Sequence, residues 1–176
     1  MRQQTLASQA SFEKYGRKTR RELFLEEMNQ VVPWSELEAL VEPHYPKAGN
    51  GRRPVGLGIM LRTYFVQQWF NLSDPGVEEA LYDSTSLRRF VGVDLGVAPA
   101  PDETSVCRFR HLLEKHELGG AMLDAVNHHL DSKGKHIFGF DKVRYRGINK
   151  NHRRLCVCFA LINLYLHRKR LTLLGA

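Results

Sequence analysis

Between Gly56 and Asn71, the residues Leu57, Met60, Leu61, Tyr64, Phe65, Gln68 and Trp69 recur three and four places apart. Side chains at that spacing return to one face of a 3.6-residue helix, so the run from Leu57 to Phe70 is predicted to be a core helix. A helix this apolar is not stable alone in water, and the rest of the chain must cover it. With 176 residues and 43% hydrophobic content, the chain has material for one sizeable core, or for one core with an appendage.

The covering elements read as further helices. Thr19 is placed to cap one, with Glu22 three residues on in capping-box register, and Leu23, Met28 and Val31 or Val32 are expected to turn inward. A second helix begins near Pro33-Trp34-Ser35, carries Leu37, Leu40 and Val41, and stops before Pro43. The glycines and proline of Lys47-Ala-Gly-Asn-Gly-Arg-Arg-Pro54 mark a loop. Asn71-Leu-Ser-Asp-Pro restarts the chain, with Ser73 or Asp74 as cap, Pro75 at the first helical position, and Glu78 and Glu79 near the positive end of the helix dipole. Ser84 to Phe90 is a further short helix, Asp102 caps another that runs to Lys115, and one more spans about Leu118 to Leu130. Through residue 133 the reading is a compact, mostly α bundle.

After Lys133-Gly134-Lys135 the texture changes. Ile137 to Tyr145 is aromatic and basic, and Leu155 to Leu166 is nearly all apolar. The charge splits at the same place. From His136 onward nine Lys or Arg face Asp141 alone, whereas the first 135 residues carry 17 basic and 18 acidic side chains, so the whole net charge of +7 resides in the final quarter. Such asymmetry points to two different pieces meeting, or to a basic tail that meets nucleic acid.

The helix from Asp102 to Lys115 has two countable faces. Val106, Phe109 and Leu113 are expected in the core, while Thr104, Arg108, His111 and Lys115 fall on one line, with Arg110 beside them. A helix with such a stripe, reached across a loop from shorter ones, is a candidate helix-turn-helix-like reader of a DNA major groove, with Arg108 reaching a guanine edge or a phosphate. Lys14, Arg17, Lys18, Arg20 and Arg21 form a basic cluster beside Phe12 and Tyr15, and Arg52 and Arg53 sit in the glycine-flanked loop; both are candidate phosphate contacts. Basic stripes and clusters are also ordinary solvated faces, and the pattern alone leaves both readings open.

Other chemistries find little purchase. The glycines of Gly49-Asn-Gly-Arg-Arg-Pro lack the third glycine of a dinucleotide site and the Gly-Lys-Ser/Thr of a P-loop. Cys107, Cys156 and Cys158 read as thiols in a reducing compartment, and Cys107 with His111 is half of a metal site without further ligands at matching spacing. His128 and His129 are expected at the surface. Asp74 and Asp102 read as caps, and Asp141 as a charge partner of Lys142 or Arg144. Neither a metal nor a cofactor is expected, and no catalytic residue stands out. The opening Met1-Arg-Gln-Gln-Thr lacks a secretory apolar core and no run reaches the roughly 20 apolar residues of a membrane span, so the expected location is the cytoplasm.

Phe12-Glu-Lys-Tyr, Thr19-Arg-Arg-Glu, Gly51-Arg-Arg-Pro-Val, Gln68-Trp-Phe-Asn-Leu-Ser-Asp-Pro, Glu78-Glu-Ala-Leu-Tyr-Asp-Ser, Arg89-Phe-Val-Gly, Pro101-Asp-Glu-Thr and Arg108-Phe-Arg-His-Leu-Leu stand in this order along the chain. Together they resemble the N-terminal region of InsH-like DDE transposases, the insertion-sequence-five family, over about residues 2 to 134. Phe138-Gly-Phe-Asp-Lys-Val-Arg-Tyr-Arg-Gly147 and the apolar helix ending in Arg168-Lys-Arg170 resemble the extreme C-terminus of the same proteins.

The resemblance implies a DNA-binding helical domain at 1–134 joined near residue 135 to a remnant of the catalytic domain at 135–176. The RNase H-like sheet between them, with its two Asp and one Glu, has no counterpart in the sequence. The chain is therefore expected to bind double-stranded transposon ends without cutting them, and magnesium is expected only of an intact family member. Partners implied besides DNA are a second copy or an intact transposase that completes the site in trans. A helical oligomerisation module with incidental DNA affinity is the alternative. Leu155, Phe159, Ile162 and Leu166, stripped of a catalytic sheet, are expected to bury against the N-terminal helices or a second copy.

Overall fold

The computed structural model describes residues 17–47, 49, 53–132 and 149–174, with side chains of the last helix described at 157–168 and 172. Among the described residues all regular structure is helical: α1 (Arg20–Val31), α2 (Trp34–Val41) with a 3-10 turn at Glu42–His44, α3 (Leu57–Trp69), α4 (Asp74–Asp83), α5 (Thr85–Val91), α6 (Glu103–Lys115), α7 (Leu118–Ser132) and α8 (Asn149–Leu174).

The predicted core helix is the centre of the fold. Helix α3 contacts α2, α4, α5 and α6, and Met60, Leu61, Tyr64, Phe65 and Val66 are all buried. Burial extends around more of its circumference than one stripe, because neighbours stand on several sides. Thr63 and Gln67, rather than the predicted Gln68, are the polar residues of this helix taken inside. Aromatic rings knit this centre: Phe65 stands edge-on to Trp69 at 5.4 Å, and tilted contacts join Trp34 to Phe65 at 5.2 Å and Trp69 to Phe90 at 5.7 Å.

The helix starts follow local chemistry. The hydroxyl of Thr19 accepts from the Glu22 N–H at 3.1 Å, but the Glu22 carboxylate pairs with Arg89 at 2.8 Å instead of closing the capping box. Ser73 caps α4 by accepting from the Gly76 N–H. That decides between the two predicted caps: Asp74 is the first helical residue and Pro75 the second, and the Asp74 carboxylate turns away to Gln67 and Arg110. Ser84 caps α5, which ends on Gly92 at φ +85°, the left-handed conformation that glycine adopts without strain.

Two expectations of facing are corrected. Leu23 is 46% exposed and Leu25 is buried in its place, whereas Met28, Val31 and Val32 turn inward as expected. In α8 the inward residues are Val157, Ala160, Leu161 and Leu164, at helical spacing against α1 and α7, while Ile162 and Leu166 are 49% and 66% exposed and Phe159 is half-buried. A nearly uniform apolar run does not encode which side turns inward. The choice matches an amide pair between Asn163, which is buried, and Asn127 of α7 at 3.0 Å. At the far end Arg168 binds Glu27 of α1 at 3.0 Å. No described helix is long and apolar enough to cross a membrane.

Candidate nucleic-acid interface

Helix α6 owes its fixed position to four attachments. At its N-terminus Asp102 accepts from the Ser105 N–H and Glu78, reaching from α4, accepts from the Glu103 N–H, each at 2.7 Å. Both carboxylates also favour the positive end of the helix dipole. Val106, Phe109 and Leu113 anchor one face in the core, as their spacing predicted. On the flank Arg110 donates to Asp74 at 2.7 Å.

That last contact gives Arg110 a structural partner. Asp74 receives Gln67 Nε2 on one oxygen at 2.6 Å and Arg110 on the other. Burial pushes the Asp74 carboxyl up, but the two hydrogen bonds and the guanidinium charge outweigh it, and the group sits below its ordinary range. The same carboxylate holds Arg110 above the ordinary guanidinium value against the effect of burial.

The stripe itself is exposed. Thr104, Arg108, His111 and Lys115 all reach solvent, and the Cys107 thiol lies 4.0 Å from the His111 ring nitrogens. Arg108 and Thr104 line a cleft of about 450 Å³ whose opposite wall is Tyr45, Arg53 and Val55. Two segments predicted separately as DNA contacts therefore meet in one place. Tyr45 arranges the meeting: its hydroxyl donates to the Val55 carbonyl at 2.5 Å, and its ring meets Phe109 at 6.0 Å. Burial raises the Tyr45 pKa, so the hydroxyl stays protonated as a donor. Periodicity gave no sign of Tyr45, because its contacts depend on the path of a loop.

The cluster at the start of α1 lies elsewhere. Lys18 pairs with Glu26 at 2.8 Å on the surface. Arg20 and Arg21 line a different groove, with the Arg21 guanidinium 5.4 Å from the Phe70 ring centre. Arg17 is exposed. Lys14 and Arg52 lie outside the described residues, as do Asp141, Lys142 and Arg144. His128 is exposed, whereas His129 is half-buried 3.8 Å from Glu36. Among the described residues no three His, Cys, Asp or Glu side chains gather as a metal site.

The family model described as Transposase domain (DUF772) matches residues 13–112. The chain belongs to this transposase-domain family. The match covers α1 to α5 and α6 as far as Leu112, and it connects the chain with transposition. No solved structure matches it.

Proposed function

We propose that this transposase-domain protein binds double-stranded DNA at the terminal repeats of an insertion sequence, through α6 and the loop carrying Arg53, without cutting it. The observation that carries the reading is the exposed stripe Thr104, Arg108, His111 and Lys115 on a helix fixed at its N-terminus, inner face and flank, with Arg53 across the cleft from Arg108. An exposed cationic helix face of this kind suits a major groove, and the loop arginine suits the neighbouring phosphates. Arg17 and Lys18 add phosphate contacts from a second surface, at the start of α1, with Arg20 and Arg21 next to them in the chain. Arg110 supports the face from the flank, through Asp74.

The origin proposed here is an insertion-sequence-five element of the InsH type, deleted internally near Lys135, so that 135–176 descends from the end of the catalytic domain. Catalysis would need carboxylates arranged to hold two metal ions about 4 Å apart. Among the described carboxylates, Asp74 and Asp102 hold the fold together and Glu22, Glu26 and Glu27 are engaged with Arg89, Lys18 and Arg168. The non-cutting part of the reading rests on the proposed internal deletion, which removes the catalytic carboxylates of the family.

A gel-shift series with the element's terminal repeats against random duplex, at several salt concentrations, tests the binding. Equal affinity for both DNAs at every salt would refute end recognition. Magnesium-dependent nicking by the purified chain, abolished by chelation, would overturn the non-cutting part. The exposed Ile162, Tyr165 and Leu166 on α8 favour a second reading, self-association or pairing with an intact transposase, which light scattering on the chain alone and mixed with such a partner would reveal.

A further inference from the structure

A groove of about 810 Å³ runs between α1 and α8 and is floored by the end of α3. Its bed is aromatic. Phe24 stands edge-on to Trp69 at 5.3 Å and to Phe70 at 6.0 Å, and Tyr165 tilts against Phe24 at 6.0 Å. Leu23 and Ile162, each close to half exposed, form opposite banks. Exposed apolar surface of this kind is usually covered by a partner.

The rim is cationic. Arg20, Arg21, Arg168 and Glu27 line it, and Glu27 already neutralises Arg168 at 3.0 Å. Arg20 and Arg21 have no carboxylate partner among the described residues. An occupant that fits therefore brings aromatic or aliphatic side chains together with at least one carboxylate.

The sequence immediately preceding the groove has this composition. Ala10-Ser-Phe-Glu-Lys-Tyr-Gly16 sets Phe12 and Tyr15 three residues apart with Glu13 and Lys14 between them, so it carries no net charge while offering one carboxylate, and it joins α1 through Arg17-Lys-Thr19, next to Arg20 on the rim. At no more than about 3.6 Å per residue, Phe12 can lie up to roughly 18 Å from Arg17, enough to enter a groove that starts three residues away. The family match begins at residue 13, so Glu13 and Tyr15 belong to the transposase-domain pattern together with α1. The other long segment outside the described residues, 133–148, carries five Lys or Arg against Asp141, and like charge at the rim disfavours it.

We propose that the α1–α8 groove is the docking site of this chain's own segment 10–16, with Phe12 and Tyr15 on the aromatic bed and Glu13 at the Arg20–Arg21 rim.

Cys158 lines the groove and supplies the test. In the full chain, Cys107→Ser and Cys156→Ser leave Cys158 as the sole thiol, and Ser11→Cys adds a second beside Phe12. Treatment with a short-span bismaleimide, read by gel and peptide mass spectrometry, is expected to link residues 11 and 158 within one chain. The expected rate is about tenfold above that of a Gln3→Cys control, which reports the tether alone. Adding Phe12→Ala, or separately Glu13→Arg, returns the rate to the control. Thermal melts verify that each variant is folded. Equal rates for Ser11→Cys and Gln3→Cys, a rate insensitive to Phe12→Ala, or linkage between two chains would overturn the proposal. So would faster linkage from Gly139→Cys, which would give the groove to the other segment.

Discussion

Replacing Asp74 by alanine isolates the contact that holds α6 to α4. The carboxylate is 19% exposed and its Arg110 partner 36%, so the pair lies between the surface case, worth about 0–1 kcal/mol, and the buried case, where deleting one partner costs about 3–5 kcal/mol. Allowing for solvent screening of Arg110, the lost pairing costs about 2 kcal/mol. Gln67 is only 5% exposed and its Oε1 already lacks a partner, so stranding its Nε2 adds about 1 kcal/mol. A total of about 3 kcal/mol lowers the Tm of a chain this long by about 6–12 °C. Arg110→Ala costs less, because Asp74 keeps Gln67, and the double variant is expected to be more stable than the sum of the single losses predicts. The pH dependence has a defined sign. Because the folded carboxyl lies below its unfolded value of about 3.9, its stabilisation is fully present above that pH and is lost as pH falls through the folded value; Asp74→Ala removes this part of the acid sensitivity. Denaturant melts of the four proteins between pH 3 and 7 supply the data. Strict additivity would refute the coupling. A drop in DNA affinity for Arg110→Ala with an unchanged melt would show that Arg110 belongs to the contact face after all.

Arg108→Ala and Arg53→Ala are each expected to weaken DNA binding and to lower the slope of log affinity against log salt by about 1, measured by fluorescence anisotropy across a salt series; unchanged slopes would remove both from the interface. Tyr45→Phe keeps the ring on Phe109 but loses the bond to the Val55 carbonyl, so stability falls by about 1 kcal/mol and DNA affinity falls although Tyr45 itself touches no DNA. The exposed imidazoles of His44 and His116 stack with centroids 4.1 Å apart. Lost hydration, the facing His44 and the Lys115 ammonium lower the His116 pKa, so protonation opposes the stack as pH falls below 6.5; in an NMR titration His44→Ala is expected to move the His116 midpoint back up.

The parts of the fold legible in the sequence are those governed by local rules. The 3.6-residue repeat of α3, the caps Thr19 and Asp102, and the inward trio Val106, Phe109 and Leu113 each depend on residues within a turn or two of one another. The failures depend on distant partners. Gln67 enters the core because Asp74 receives its amide, and Asp74 leaves the cap because Arg110, 36 residues on, binds it. Leu23 faces outward because α8 closes on the neighbouring face of α1, forming a groove instead of covering it. In α8 a run apolar on every side has no preferred face until Asn163 finds Asn127. The candidate site divides in the same way: the stripe on α6 follows from spacing, whereas its meeting with Arg53 depends on a loop path that Tyr45 determines.

The two cationic surfaces differ in rigidity, and on the proposed DNA reading they should therefore do different work. Helix α6 is fixed by carboxylates at its N-terminus, three core side chains beneath and an ion pair on its flank, so Arg108 meets DNA on a backbone that has little conformational freedom left to lose. A side chain held in that way discriminates between bases because a mismatched edge leaves it unpaired. Arg17 and Lys18 precede the first turn of α1 on the exposed surface, and the Lys18–Glu26 pair is too solvated to hold them firmly. Charges in that setting attract phosphates without selecting among sequences. Arg108→Ala should therefore narrow the gap in affinity between terminal repeat and random duplex, whereas Arg17→Ala with Lys18→Ala should lower both affinities by the same factor. If the gap instead closed on loss of Arg17 and Lys18, the reading surface would be the start of α1, and α6 would be its support.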